Sequence, residues 1–452
     1  MRSEASEVIR GIKAGVRNLI MRASRPATLT AVIVAAVCAP AAARAEAPSG
    51  DEDLPAIRLS GAGVEMLKLG VPKAEGDAEA ARVATDTLSK DMDITGLFQV
   101  LDPASFPAQL QSEGMTFSSA LWSQVGAQAV VKMKASSGVL EGRVYVVARG
   151  DAPVISKTYR AGDVRDAVHD LANDIVQSFT GKRGIFGSRI AFALTGHGPH
   201  EIATVDVDGG RMATVTKMGS DSLLPAVSPG GAEIAFTSYL RNNPDLWIVG
   251  AGGGRARRVS KQPGLNTGAS WSPDARSLVL TLSYEGNSEL YRIGAEDGRI
   301  QARLTNNPAI DSSPAFSPDG AQIAFVSNRQ GSPQIFVMPA SGGTPKRVTF
   351  QGKYNQTPRY SPRTDKPQIA FTGRDERGVF DIFILDVKSG HVDRLTQGKG
   401  SNLDPAWSPD GRLVAYVSSR GGIYVSNPET RHEVQVWRGS AASPSWGPAP
   451  RR

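Results

Sequence analysis

Cysteine is almost absent from this sequence, since its 452 residues contain a single one, Cys38. No disulfide can form within the chain, so its stability must come from a packed hydrophobic core. Aromatic residues are also scarce, at 6%, whereas 48 glycines and 29 prolines indicate many turns and favour β structure. With 40% hydrophobic residues the chain is not disordered, and its length predicts at least two domains.

A broadly basic surface is also lacking, because the formal charge of +7 is concentrated at the N-terminus. Residues 1–45 contain seven basic and two acidic side chains, a net of +5, which leaves +2 for the other residues. Such a distribution offers no extended basic face for a polyanion. Nucleic acid is therefore not an expected partner.

The basic N-terminus precedes an apolar run, residues 29–37, and the small-residue pattern Ala43-Arg44-Ala45. This arrangement predicts a signal peptide, residues 1–45, cut between Ala45 and Glu46, and hence an exported protein. The mature chain would contain no cysteine, which excludes thiol catalysis.

Two alternatives for this leader are less well supported. A permanent membrane anchor would need about 20 apolar residues, more than the run provides. A lipoprotein signal would place Leu three residues before Cys38 and a small residue directly before it, whereas Ala35 and Val37 stand there. The leader is long, so Met21 is an alternative start.

The most informative pattern is an internal repeat of the form Pro-x-aromatic-Ser-Pro. Measured at its serine, or at the glycine of the last copy, the spacing is 44, 45, 44, 47 and 39 residues. This period is typical of a propeller blade of four strands. The copies lie at 225–229, 270–274, 314–320, 358–362, 405–411 and 444–448.

Each of the first five copies is followed by a short apolar strand and an alternating strand, and four of them then have a fourth strand that begins with Arg258, Arg303, Arg347 or Arg394. Ser-Pro-Asp-Gly is a turn signal that would join the first strand to the second. One blade is split, because strands at 189–192, 201–207 and 214–216 lack a first strand and 444–448 supplies it. Pairing the two ends closes a six-bladed β-propeller over residues 187–448 and removes exposed strand edges. The repeated Trp271, Trp407 and Trp446 are expected in the core between blades.

Residues 61–181 have a different pattern and predict a small N-terminal α/β domain that precedes the propeller. Strand-like segments at 66–71, 129–133 and 144–147 alternate with a helix at 77–89. The clearest helix has Asp163 as its N-cap and Gly181 beyond its end. Residues 46–60 form a flexible N-terminal segment in this interpretation.

Recognisable catalytic and cofactor motifs are missing, so we predict no enzyme, no cofactor and no metal. No Gly-x-Ser-x-Gly elbow occurs, which leaves a propeller hydrolase as the least supported class. His197 and His200 lie on one turn without further ligands, and the segment 206–210 lacks the distant Glu of a calcium loop. The glycines at 61–66 do not complete a dinucleotide fingerprint.

The loops that lead from the fourth strand of one blade to the first strand of the next gather at the mouth of the central channel. Their residues are polar and mostly small, and they could bind a loop of another protein or a peptide. Structural roles in the turns are an equal alternative for each residue. The candidate binding residues are Leu265, Asn266, Thr267, Asp311, Ser312, Asn355, Gln356, Asn402 and Leu403.

The six repeats, the Ile-Ala-Phe strands, the junction 179–192 and the preceding α/β domain together resemble the TolB family of the Tol-Pal system. The resemblance implies a non-enzymatic periplasmic adaptor that maintains outer-membrane integrity and supports its invagination during cell division. It implies docking of the lipoprotein Pal at the propeller mouth and binding of the inner-membrane protein TolA by the N-terminal segment. In this chain the matching segment contains Ile57, Arg58 and Leu59, preceded by an acidic extension at 50–53.

Other outer-membrane proteins are further candidate partners. The alternative is a TolB-like paralogue that binds another envelope protein or a glycan. For either protein, charge reversal at Asp311 together with Asn266→Arg is expected to weaken binding at the mouth while leaving the melting temperature nearly unchanged.

Overall fold

The computed structural model describes residues 65–196 and 198–449. The predicted signal peptide and its cleavage site, the segment 46–60 and His197 lie outside the described residues. Among the helices that are described, none combines the length and apolar character that a membrane crossing requires.

The N-terminal part is an α/β domain built on one mixed sheet. Its strands run in the order β3-β1-β4-β5-β6, and β2 pairs with β4 beyond the end of β1. The strands β1, β2, β3 and β4 pair in parallel, whereas β4, β5 and β6 are antiparallel. The elements are β1 Leu67–Gly70, β2 Glu75–Gly76, α1 Ala78–Ile94, β3 Phe98–Val100, α2 Ala108–Gln111, α3 Ser119–Gln124, β4 Ala129–Ser136, β5 Val139–Val146, β6 Ile155–Arg160 and α4 Val164–Thr180.

The helix α4 begins and ends where its sequence signals predict. The Asp163 carboxylate accepts a hydrogen bond from the Asp166 amide at 2.9 Å, and Gly181 adopts φ of 72°, which favours glycine. Its apolar side chains, among them Leu171 and Ile175, are fully buried against the sheet and α1. The helix α1 continues five residues beyond the predicted end, because Met92 extends its buried face.

The C-terminal part consists, within the described residues, of six antiparallel sheets of four strands each, numbered here as blades 1 to 6. Blade 1 contains β30, β7, β8 and β9, and the following blades use consecutive strands. The strands are β7 Arg189–Leu194, β8 Glu201–Asp206, β9 Ala213–Thr214, β10 Ser222–Val227, β11 Glu233–Ser238, β12 Asp245–Gly250, β13 Arg257–Ser260, β14 Asn266–Trp271, β15 Ser277–Leu282, β16 Glu289–Gly294, β17 Ile300–Arg303, β18 Asp311–Phe316, β19 Gln322–Ser327, β20 Gln334–Pro339, β21 Lys346–Arg347, β22 Asn355–Tyr360, β23 Gln368–Arg374, β24 Phe380–Asp386, β25 Val392–Arg394, β26 Asn402–Trp407, β27 Val414–Ser418, β28 Ile423–Ser426, β29 Glu433–Trp437 and β30 Ala441–Gly447.

The ring closes through the chain ends, as the split repeat predicts. The last strand, β30, pairs with β7 in antiparallel register, with Trp446 opposite Ile190. The first strands of neighbouring blades contact one another around the axis. The loops of the ring therefore lie at two opposite ends. The mouth end carries the loops from the fourth strand of one blade to the first strand of the next and those from the second to the third strand. The turn end carries the loops from the first to the second strand and those from the third to the fourth.

The tryptophans of the repeat lie between blades. The Trp271 indole donates a hydrogen bond to the Ala226 carbonyl at 2.9 Å, and that of Trp407 to the Arg359 carbonyl at 3.0 Å. Trp271 and Trp407 are at most 7% exposed. The prediction of an inter-blade position is confirmed.

The Ser-Pro-Asp turn is held by its own side chains. In blades 3 and 4, Ser272 and Ser317 donate to the carboxylates of Asp274 and Asp319 at 2.6 and 2.5 Å. The serine hydroxyl bond lowers the pKa of each Asp below its usual value. The motif recurs because these bonds close the turn.

Candidate functional site

The mouth end is the first candidate site, because the predicted binding residues follow its loops. The fourth-to-first loops occupy residues 215–221, 261–265, 304–310, 348–354, 395–401 and 438–440, directly before the first strands. Since these strands surround the axis, the loops lie together around one opening of the channel.

Four of the predicted residues, Asn266, Asp311, Asn355 and Asn402, do not present their side chains to a partner, since each is at most 2% exposed. They begin four of the first strands and make hydrogen bonds inside the ring. Their partners are Gln262 for Asn266, Asn307 and Arg329 for Asp311, Gln334 for Asn355, and Asp381 for Asn402. The expectation that Asp311 and Asn266 can be changed without loss of stability is therefore wrong, because a buried group that loses its partner is costly.

These side chains belong to a layer of polar contacts that links consecutive blades beneath the mouth. In blade 5, Asp381 accepts hydrogen bonds from Thr396 Oγ1 at 2.6 Å and from Asn402 Nδ2 of blade 6 at 3.1 Å. In blade 4, Gln334 receives the corresponding bonds from Thr349 and Asn355, both at 2.8 Å. The Asn at the start of a first strand recurs for a structural reason.

Arginines complete this layer, and their role was not predicted from the sequence. In blade 2, Arg258 pairs with buried Asp245 at 3.1 Å and lies 5.9 Å from the centre of the Trp247 ring. In blade 3, Arg303 pairs with buried Glu289 and lies over the Tyr291 ring. In blade 5, Arg394 pairs with buried Asp381 and lies over the Phe383 ring. The sequence feature that could have indicated this role is the Arg that recurs at the start of the fourth-strand motif. Charge pairing and stacking together hold the third and fourth strands.

The surface of the mouth is formed by other side chains. Leu265, Thr267, Ser312, Gln356 and Leu403 are half-buried, so these predicted residues reach the surface in part. Two loop residues that were not predicted are far more accessible, since Phe350 is 74% and Ile310 50% exposed. The sequence could have indicated Phe350, because it follows the fourth-strand motif at a position where the other blades have the polar residues Lys261, Asn306 and Gln397. Exposed aromatic and aliphatic side chains on neighbouring loops are typical of protein interfaces.

Charges around these apolar side chains are mainly positive. Within the part of the chain that the structure describes, the exposed cations Arg241, Lys261, Lys353 and Arg377 form no ion pair. Glu376 is an exposed carboxylate on the same end. A partner with an acidic face would be attracted to this end of the ring.

A second cluster of functional side chains lies between the α/β domain and blade 1. His169 Nδ1 is 2.7 Å from Asp91 Oδ2, and His169 Nε2 is 3.9 Å from Asp208 Oδ2. All three side chains are buried, and burial raises the pKa of Asp91 against the opposing attraction of His169. One atom from each could reach a metal ion. Arg165 already pairs with Asp208, so the cluster has its own cation and is explained as a contact between domains.

The weaker sequence alternatives also have positions in the structure. Asp206 of the proposed calcium segment pairs with Arg189 at 3.0 Å and with Arg211 at 3.3 Å. His200 Nδ1 lies 3.2 Å from Asp221. Ile57, Arg58 and Leu59 lie outside the described residues, so their role stays a prediction.

Comparison with known proteins identifies the family of this chain. Residues 176–450 match the model of the TolB beta propeller domain, and residues 55–149 match that of the TolB amino-terminal domain. The Tol-Pal system protein TolB of Myxococcus xanthus is 44% identical over 351 residues, which cover 75% of this chain and 80% of that protein. The protein of the same name from Anaeromyxobacter dehalogenans strain 2CP-1 is 38% identical over 207 residues, 43% of this chain. In that alignment the chain spans about half, 48%, of the relative's length.

A solved structure agrees over both domains. The crystal structure of TolB from Acinetobacter baumannii has a TM-score of 0.74 and 25% sequence identity, and the match covers 84% of this chain and 96% of that one. The fold, the two domain models and the identity to the Myxococcus xanthus relative over most of its length agree, and the chain belongs to the TolB family of the Tol-Pal system.

Proposed function

We propose that this protein is a non-enzymatic periplasmic adaptor that binds a Pal-like, peptidoglycan-associated lipoprotein at the mouth of its propeller. The observation that carries the proposal is the open mouth, where Phe350 and Ile310 stand exposed among unpaired cations. A protein interface of standard size needs a few central apolar or aromatic side chains surrounded by polar ones, and this end provides both.

The proposal includes a second contact, in which the N-terminal segment with Ile57, Arg58 and Leu59 binds a TolA-like inner-membrane protein. Such an adaptor would connect the cell wall and the inner membrane, which supports outer-membrane integrity and its invagination during division. Membership of the TolB family of the Tol-Pal system supports a role as a protein partner in that system.

The test is calorimetric titration of the chain from residue 46 onwards with the Pal homologue of the same organism. We expect saturable one-to-one binding that Phe350→Asp weakens at least tenfold, about 1.4 kcal/mol. Ile300→Asp is the matched control, because Ile300 is an exposed aliphatic residue on the outer strand β17 of blade 3, away from the mouth loops. Full affinity in Phe350→Asp would exclude the mouth surface, and absence of binding beside another captured envelope protein would indicate a paralogue.

The N-terminal contact is tested separately with a TolA homologue. A chain that begins at residue 61 should lose TolA binding and keep Pal binding. Arg58→Glu within the full mature chain should weaken TolA binding in the same direction. Unchanged TolA binding in both variants would show that the contact lies elsewhere.

A further inference from the structure

A groove of about 550 Å³ lies between blades 1 and 2, and its lining includes part of the mouth loop 215–221. It extends from the turn end, at the loop between β12 and β13, to the mouth end at Leu240. We call it the rim groove, and its lining residues are 214–218, Leu240, Trp247 and 252–256.

The rim groove exists because side chains are missing on both of its walls. The loop of blade 2 has three consecutive glycines, Gly252 to Gly254, where blade 3 has Glu296, Asp297 and Gly298. On the other wall, the fourth strand β9 of blade 1 has two residues, against four in β13. The three consecutive glycines are a departure of blade 2 from the repeat, and they lie on one wall of the groove.

The floor of the groove is apolar and contains one polar atom without a partner. Val215 and Trp247 are 8% exposed, and Met218 packs against the same cluster. Trp247 Nε1 is buried, and no acceptor within the described residues bonds to it. In contrast, the indoles of Trp271, Trp407 and Trp446 all donate hydrogen bonds. Of these four indoles, only that of Trp247 lacks an acceptor within the described residues, and a buried donor without an acceptor is rare.

The charges of the rim groove are of one sign. Lys217 and Arg255 are exposed at its edges, and neither side chain has an ion pair or hydrogen bond within the described ranges. No carboxylate is among the lining residues. The groove thus combines an apolar floor with unpaired cations, which favours a ligand that carries both aliphatic groups and carboxylates.

The shape favours an extended peptide. The height of a blade corresponds to six residues of a strand such as β12, about 20 Å at about 3.3 Å per residue. Among the described strands β9 pairs with β8 alone, so its outer backbone groups are free to bond an added strand. The volume lies within the range of about 300 to 1,000 Å³ of known ligand sites.

We propose that the rim groove binds an extended segment of a partner protein in which acidic and aliphatic residues alternate. Aliphatic side chains would pack on Val215, Met218 and Trp247, while the carboxylates would pair with Lys217 and Arg255. This site lies at blades 1 and 2 and leaves Phe350 free, since Phe350 is on the loop from blade 4 to blade 5.

The probe is the peptide acetyl-Glu-Leu-Asp-Val-Glu-Leu-amide, titrated into the chain from residue 46 onwards by calorimetry. We expect saturable binding that weakens with added salt, and at least tenfold weaker binding of the peptide with Lys at the acidic positions. Binding should fall at least tenfold in Lys217→Glu/Arg255→Glu. The control is Lys346→Glu/Lys388→Glu, which reverses two exposed cations on blades 4 and 5 and should bind normally.

A steric variant provides an independent test. A Cβ at Gly252 meets no atom within 4 Å, so a side chain can begin there without a clash, and Gly252→Trp should obstruct the groove and abolish binding. A melting temperature equal to that of the natural chain would show that this variant folds. Equal binding of both peptides, or normal binding by both the charge and steric variants, would overturn the proposal. Binding that appears only after removal of residues 46–60 would also overturn it, since the acidic residues 51–53 of the chain itself would then be the occupant. Phe350→Asp should leave peptide binding unchanged, which separates this site from the proposed mouth interface.

Discussion

The two ends of the propeller differ in what covers them. At the turn end, blades 1 and 6 contact the α/β domain, where Asn427 Nδ2 donates to the Thr95 carbonyl at 2.8 Å. Arg412 of the same end bonds Thr180 Oγ1 at 3.1 Å. At the mouth end, by contrast, Phe350 and Ile310 remain exposed. The same repeat thus builds one end that the α/β domain covers at blades 1 and 6 and another on which apolar loop residues stay exposed.

The difference lies in where the polar side chains direct their bonds. Turn-end residues such as Asn427 bond across to the other domain, whereas Asn402 at the mouth end bonds Asp381 within the ring. The mouth thus uses its recurring polar residues to hold blades together. A partner there is expected to contact the loop tips, because the polar layer beneath them is already paired.

The packed interior between neighbouring blades should be the part of the ring where a substitution lowers the free energy of unfolding most. Trp407→Ala removes a side chain that is 6% exposed and its bond to the carbonyl of Arg359. We expect a loss of about 3 to 5 kcal/mol in the free energy of unfolding, measured by urea denaturation. Phe350→Ala is the control, with a change within about 0.5 kcal/mol. Equal losses in the two variants would mean that the mouth loops are part of the core.

The buried layer beneath the mouth should tolerate less than the turns at the opposite end. Asp381→Ala leaves Thr396, Asn402 and Arg394 without a common acceptor, which we expect to cost about 2 to 4 kcal/mol. Asp319→Ala removes a more exposed carboxylate that bonds Ser317 and the Ala321 amide, and should cost about 1 kcal/mol. Thermal and urea denaturation of both variants make this comparison. A larger effect at Asp319 would show that the turn end carries more of the stability.

Much of the fold could be predicted from the sequence, because a repeat has its own internal comparison. The period, the turn residues and the split blade led to six blades closed by β30 and β7, and Asp163 and Gly181 marked the ends of α4. The burial of Asn266, Asp311, Asn355 and Asn402 could not be predicted, since a polar residue after a loop is equally consistent with a surface site or with an inter-blade bond.

The rim groove and the exposed loop tips also escaped the sequence analysis, for a related reason. The repeat was analysed for what its copies share, whereas Gly252 to Gly254 and Phe350 are departures from it. The Asp91, His169 and Asp208 cluster joins residues far apart in the chain, and only the docking of the α/β domain on blade 1 brings them together.

The smallest expected effect concerns a pH-dependent contact between the turn end of blade 6 and the α/β domain. His432 Nε2 lies 2.9 Å from Asp93 Oδ1, and this hydrogen bond raises the pKa of His432 above its usual value against the opposite effect of burial. A raised folded-state pKa means that the contact stabilises the fold fully below the unfolded pKa of about 6.5 and loses this contribution as the pH rises through the folded-state value.

Because Asp93 is 45% exposed, solvent should keep the stabilisation from this contact below about 1 kcal/mol. We expect the free energy of unfolding to fall between pH 6 and pH 8.5 by more in the natural chain than in His432→Gln. His391→Gln is the matched control, since His391 is exposed on a turn of blade 5 and forms no ion pair within the described residues, and it should keep the natural pH dependence. An identical pH dependence in all three proteins would show that the contact between Asp93 and His432 does not hold the α/β domain on blade 6. The attachment of the α/β domain to blade 6 would then depend on neutral hydrogen bonds such as that of Asn427, and titration of His432 would not change it.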